Sequence, residues 1–226
     1  MSIVGFDKNS EEFKRLANID EYVSNGAEMA RHLLGFAQKS CHETNRINLN
    51  YLLKMSAKMF GRTKKDIIID QHLEKKLWST VVDEGQIKQV LMNLFVNACQ
   101  AMSNGGKIII KSEKILIDES RIDEFGFESA GAFVKVSVTD TGMGMDKEVM
   151  SRIFDPFFTT KAVGKGTGLG LSICYGIIQK MGGKIDVQSQ VGVGSRFRIW
   201  IPFQKDEIQQ TAPCTRIEIN KQGEII

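Results

Sequence analysis

Apolar residues between Ser10 and Lys39 recur at three- and four-residue steps. Leu16, Ile19, Val23, Ala27, Ala30, Leu34 and Ala37 fall on one stripe, which predicts a single amphipathic helix. Gly26 and Gly35 weaken that helix, so it depends on a partner helix for stability. The segment "KSCHETNR" breaks the pattern and reads as a polar hinge. Asn48 or Asn50 is then placed to cap a second helix that ends near Gly61. "DIIID" and "LWSTVV" read as two short strands. A long helix is predicted from Glu84 to Met102, closed by the turn residues of "SNGG".

The following stretch is rich in strands. "KIIIKSEKILI" and "GAFVKVSVTD" are joined by a charged segment around Glu119 to Ser129. In the second of them Val134, Val136 and Val138 alternate with polar residues, as a strand with one buried face requires. From Gly142 to Gly170 glycine dominates, which predicts a mobile loop around a short helix near Lys147 to Ile153. A helix from Thr167 to Met181 and the strands "KIDVQSQ" and "SRFRIWIPF" complete the pattern. The fold class is α/β: a two-layer sandwich with several helices on one face of a mostly antiparallel sheet. Residues 48–203 form this domain, and 204–226, with little apolar periodicity, read as a C-terminal linker or tail.

Composition narrows the class further. With 42% hydrophobic and 25% charged residues, the 226-residue chain has the make-up of an ordinary globular protein. A net charge of +3 is too small to argue for nucleic acid or an anionic membrane as the main partner. No apolar run approaches the ~20 residues of a membrane span. Cys41, Cys99, Cys174 and Cys214 show no metal or disulfide-framework spacing, which fits reduced thiols in the cytoplasm.

Two phosphate-binding motifs are excluded. A P-loop needs Gly-x-x-x-x-Gly-Lys-Ser/Thr, but Gly164 and Lys165 are followed by Gly166, and position 159 is Thr159. The glycines of "GKGTGLG" are also wrongly spaced for a dinucleotide fingerprint. Four other blocks remain. "QVLMNLFVNACQAM" sets Asn93 and Asn97 one helical turn apart. An amide oxygen suits Mg²⁺, although alone this block reads as core or capping asparagines. In "DTGMGM", Asp140 ends a strand, and Gly142 and Gly144 allow a close backbone approach. A carboxylate there can accept a proton from an exocyclic amine and so tell adenine from guanine, yet Asp-Thr-Gly is also an ordinary turn signal. "RIFDPFFTTK" carries more aromatic residues than a solvated loop tolerates; they pack as core or clamp a lid. "GKGTGLGLSI" runs glycines into a helix, and free amides at a helix N-terminus suit a polyphosphate.

Together these blocks resemble the N, G1, F and G2 boxes of sensor histidine kinases of the hybrid type, within the GHKL ATPase superfamily. "GVGSRFRIWIP" looks like the strand pair that closes their catalytic domain. The resemblance covers Leu49 to Phe203 and implies a Bergerat-type ATP-binding fold with ATP and Mg²⁺ as cofactors. It implies Asn93 as the catalytic amide, Asn97 as the Mg²⁺ ligand and Asp140 as the adenine contact. Gly142, Gly144, Gly166, Gly168 and Gly170 shape the pocket, with Thr167 and the amides of Leu169 and Gly170 near the phosphates. GHKL hydrolases carry a glutamate at the position of Asn93, and an amide is a poor general base, so phosphoryl transfer fits better than hydrolysis. Many family members carry a lysine where this chain has Gln100; Lys161 or Lys165 is then left to contact phosphate.

The resemblance also implies partners: a response-regulator receiver domain, an upstream phosphoacceptor helix of the same protein, and a homodimer in the full-length protein. It implies neither nucleic acid nor a membrane span in this chain, any membrane anchor lying elsewhere in the full-length protein. "SNGAEMARHLLGFAQ" resembles the second helix of the dimerisation hairpin, so residues 1–47 are expected to be that helix plus the hinge. His32 falls in that helix, His42 in the hinge and His72 after a short strand at the surface. None lies on a helix followed by the return helix an acceptor needs, so the phosphorylated histidine is expected outside the chain.

Overall fold

The computed structural model describes residues 44–203, apart from 65, 123–125, 128 and 162–165. The helix expected over Ser10 to Lys39, His32, His42, the tail and Lys165 lie outside the described residues. Thr44 to Arg46, expected in the hinge, belong to a strand, β1 (Thr44–Asn48). That strand pairs antiparallel with β3 (Ser79–Asp83), Arg46 opposite Val81. Its polar residues hid it, because a two-stranded ribbon at the surface buries almost nothing of β1.

Helix α1 (Leu49–Thr63) starts where Asn48 accepts the Asn50 amide at 3.0 Å, and it runs one half-turn past the expected stop at Gly61. Helix α2 (Glu84–Ala101) starts where Asp83 accepts the Gln86 amide at 2.9 Å. Strand β2 (Ile67–Leu73) extends beyond "DIIID" and includes His72, which sits within the strand, exposed and 3.2 Å from Asp70. Leu77 and Trp78 precede β3 rather than forming it, and Trp78 stacks on Phe203 at 4.9 Å.

A five-stranded sheet has the order β2-β4-β5-β7-β6, with β4 at Gly106–Ile117, β5 at Gly131–Asp140, β6 at Lys184–Gln190 and β7 at Gly194–Pro202. Only β2 and β4 run parallel; that pair needs a crossover, which β3 and α2 supply. Two helices follow β5: short α3 (Lys147–Arg152) and α4 (Gly170–Lys180). Among the described residues no helix is long and apolar enough to cross a membrane.

Alternation decides which face of the sheet is covered. Val134, Val136 and Val138 of β5 and Phe197, Ile199 and Ile201 of β7 point to the helices and join Leu52, Leu53, Leu91, Leu94 and Phe95 in one core. Burying a side chain the size of Phe95 is worth about 2–3 kcal/mol. The opposite face carries a small second cluster, where Phe127 lies 4.5 Å from Phe133 and 5.6 Å from Trp200. The observed architecture is the expected two-layer sandwich.

Candidate nucleotide site

The site is assembled around α2. Its C-terminal end meets the loop after β5, where the Met143 amide donates to the Ala101 carbonyl at 3.0 Å. A side chain at Gly142 would lie 2.7 Å from Ala101 Cβ, so only glycine allows the loop to rest on the helix end. Gly144 has φ +68°, and a Cβ there would sit 2.0 Å from the Gln190 carbonyl oxygen. The loop is thus wedged between α2 and the β6–β7 turn, whose Gly192 amide donates to Met143 O at 2.7 Å.

Asp140 is the next step of the β5 alternation after Val138, which puts its carboxylate on the covered face, only 4% exposed. Two backbone amides hold it, Gly142 at 2.9 Å and Ser195 at 3.2 Å, and both donate to Oδ1. Oδ2 accepts from neither. Burial pushes the Asp140 carboxyl above the usual carboxylate range, against the pull of those amides.

Midway along α2, the Asn93 amide donates to the Gly170 carbonyl at 3.1 Å and ties the helix to the start of α4. The Cys174 thiol lies behind it, donating to Val90 O at 3.8 Å; burial pushes it up to about 12, so it is not a nucleophile. Asn97, one turn on, is half-buried, and its side chain makes no hydrogen bond to another described residue.

The aromatic block folds onto the glycine block. Phe157 has φ +66°, a left-handed conformation costly for a bulky residue. Its backbone fills the space a side chain at Gly168 would need: a Cβ there would lie 2.4 Å from the Phe157 carbonyl carbon. Gly168 itself has φ +66°. Phe154 packs on Tyr175 of α4 at 5.5 Å, and Arg152 lies over the Phe158 ring at 4.5 Å. Phe154 and Phe158 are thus half-buried against the core, whereas the Phe157 side chain is exposed.

Helix α4 begins at Gly170, three residues later than expected, because Gly168 takes the left-handed turn and Leu169 is the cap residue. No side chain caps it. Thr167 Oγ1 instead accepts the Leu169 amide at 3.4 Å, and Leu169 is buried. Gly170 has space for a side chain, its nearest neighbour being Asn93 Cγ at 3.8 Å. Lys161 donates to Gln100 Oε1 at the end of α2, and desolvation lowers its pKa. A side chain at Gly166 would meet Lys161 Cδ at 2.9 Å, so that glycine makes room for the lysine stem.

All four sequence blocks therefore touch α2 or one another. Three contributors escaped the sequence reading: Ala101 under the loop, Ser195 on Asp140, and Ser189, whose hydroxyl accepts the Met145 amide at 2.8 Å. "GVGS" marked a strand turn, but nothing local to Ser195 announces a contact 55 positions away.

A sandwich with a buried strand-end carboxylate, a glycine loop and an uncapped helix meeting on one central helix defines a GHKL-type nucleotide-binding domain. The chain belongs to the family of histidine kinase-, DNA gyrase B- and HSP90-like ATPases, which it matches over residues 82–205. It is 37% identical over 191 residues to the sensor kinase CckA of Brucella abortus, covering 84% of this chain but 20% of that protein. The chain thus spans about a fifth of the length of that curated relative. Its fold matches the catalytic domain of the histidine kinase ThkA, at 35% identity and a TM-score of 0.59, covering 71% of this chain and 96% of that one. ThkA in complex with the response regulator TrrA matches at 28% identity and a TM-score of 0.67, covering 88% of this chain and 53% of that one.

Proposed function

We propose that this chain is the Mg²⁺-ATP-dependent catalytic module of a two-component sensor histidine kinase. It transfers the γ-phosphate of ATP to a histidine outside the chain, for onward transfer to a response-regulator aspartate. The observation that carries the reading is the convergence of the four blocks on α2, with Asn93 fixed to Gly170 and Asp140 held through one oxygen. The relative's name and the complex of ThkA with its response regulator support it.

The residues fit the nucleotide. Oδ2 of Asp140, without a backbone donor, is the acceptor for the adenine amine, while Gly142 and Gly144 keep the loop backbone close. Asn97, with no partner among the described side chains, is the Mg²⁺ ligand. Mg²⁺ keeps several waters and takes few protein ligands, so one amide plus phosphates suffices; it would neutralise phosphate charge. The amides of Leu169 and Gly170 at the uncapped α4 terminus, with Thr167 and Gly166 before them, approach the phosphates. Lys161 supplies the cation beside Gln100, and Lys165 is the second lysine of that loop. Asn93 positions rather than deprotonates, since an amide cannot serve as general base, which favours transfer over hydrolysis. In the full-length protein the module works within a homodimer in the cytoplasm, with any membrane anchor elsewhere and the upstream helix as acceptor.

The test has two parts. Calorimetry with Mg²⁺ should give one ATP site per chain and strong discrimination against GTP; equal binding of both would refute the adenine assignment. Incubation with radiolabelled ATP should yield acid-labile label only when the upstream acceptor helix is supplied. Label on the chain alone that vanishes in His42→Gln would make the hinge histidine the acceptor.

A further inference from the structure

Helix α1 carries a second apolar stripe that its own fold does not use. Leu49, Leu52, Leu53 and Ala57 are buried in the core, yet Tyr51, Met55 and Met59 are 58%, 49% and 55% exposed on the other side. Their spacing of four residues lines them along about 12 Å of one helix face. The stripe continues onto α2. Phe60 of α1 and Phe95 of α2 pack at 5.6 Å, so the two helices lie side by side. Half-buried Met92 and 40% exposed Val96 extend the apolar surface on α2. Chance exposure of single apolar residues is normal; a contiguous row on two helices marks an interaction site.

The charge beside the row identifies what fits. Lys54, Lys58 and Arg62 are exposed at the same four-residue spacing, and α1 contains no Asp or Glu. Among the described residues none of these three cations meets a carboxylate, whereas Lys88 of α2 is paired with Glu84 at 2.6 Å. An apolar row beside a basic ridge that meets no carboxylate among the described residues complements a helix with an apolar face edged by carboxylates. We propose that the α1–α2 surface docks an acidic amphipathic helix of a partner protein.

Two other occupants fit less well. A membrane would reach only the tips of a tyrosine and two methionines, because the opposite face of α1 is locked in the core and the helix cannot sink into the headgroups. A second copy docked face to face would set like-charged ridges against each other. The surface is also separate from the nucleotide site. Phe95 leaves α2 toward α1, while Asn93 leaves it toward Gly170 of α4. The inference therefore stands independently of the proposed kinase activity.

The experiment uses the 226-residue chain and two designed helical peptides with the same leucine face, one edged with glutamate and one with lysine. Fluorescence anisotropy should show the glutamate peptide binding at least tenfold more tightly. Met55→Glu with Met59→Glu should remove that binding, and Lys54→Glu, Lys58→Glu and Arg62→Glu together should invert the preference. All substituted positions are exposed, and circular dichroism checks that each variant remains folded. Equal binding of the two peptides, no binding of either, or an unchanged preference after charge reversal overturns the proposal. Binding to phosphatidylglycerol vesicles without binding to the peptide, or self-association that the Met55 and Met59 substitutions abolish, overturns it in favour of a lipid or a second copy.

Discussion

Replacing Asp140 by asparagine should separate stability from binding. In the wild type Oδ1 accepts two backbone amides, at 2.9 Å and 3.2 Å. An asparagine keeps both bonds only if its carbonyl oxygen takes that place, because an NH₂ there would point donors at donors. The NH₂ group is then forced into the Oδ2 position, where under the proposed assignment the adenine amine needs an acceptor. A charge-assisted hydrogen bond worth about 1.5–3 kcal/mol is exchanged for two opposed donors. ATP affinity should therefore fall about 10- to 150-fold, toward the upper end of that range.

The unliganded fold should respond in the opposite direction. Burial raises the Asp140 carboxyl pKa, so the native state binds its proton more tightly than the unfolded chain does. The stability linked to that proton is fully present below the ordinary aspartate range and is lost as pH rises through the raised native value. At neutral pH the wild type carries the cost of a desolvated charge, and the asparagine variant does not. Thermal melts should give the variant an equal or higher Tm at pH 7, with any advantage shrinking as pH drops below the native pKa of Asp140. A variant that melts earlier than wild type at pH 7, or that binds ATP as tightly as wild type, would refute the reasoning.

The other predictions rest on separate residues. Asn97→Ala should weaken Mg²⁺-ATP about tenfold or more while leaving metal-free nucleotide nearly unchanged, as calorimetry with and without EDTA will show. Gly170→Ala meets no clash in the protein, so the helix should gain about 0.5–1 kcal/mol, while under the proposed phosphate assignment ATP affinity should fall. Thr80→Val removes the single buried side-chain polar atom that lacks a partner among the described residues, and should stabilise the fold by about 1 kcal/mol in urea denaturation. Lys161→Gln should weaken ATP more than adenosine, and adding Gln100→Lys should restore most of the loss; no restoration would separate the lysine from the phosphates.

Much of the site was legible because its residues obey local periodicities. The alternation of Val134, Val136 and Val138 carries forward to Asp140, and the helical repeat puts Asn93 and Asn97 a turn apart. The strand ends of β5 and β6 were equally plain, since each apolar run stops at a glycine or a charged turn. The start of α4 was less so: "GTGLGLSI" offers several first turns, and only the contact of Gly168 with the Phe157 backbone selects Gly170. Strand β1 was hidden for a different reason. Its pairing with β3 satisfies backbone groups without burying a hydrophobic face, so no side-chain pattern reports it.

The contacts that were not legible share one property: each joins a residue on one block to backbone on another. Ser195 reaches Asp140 through its amide, Asn93 reaches the carbonyl of Gly170, and Met143 reaches the carbonyl of Ala101. A backbone amide or carbonyl is present at nearly every position, so the identity of the residue that supplies it carries no signal. What the sequence does record is the space such contacts need. Side chains at Gly142, Gly144 and Gly168 would each collide with backbone within 2.7 Å, while one at Gly170 would touch nothing closer than 3.8 Å. The first three glycines are accounted for by the folded chain alone. Gly170 is not, and a glycine that the protein itself does not require, at the uncapped start of a helix beside Asn93, is where a phosphate-bearing ligand has the strongest claim.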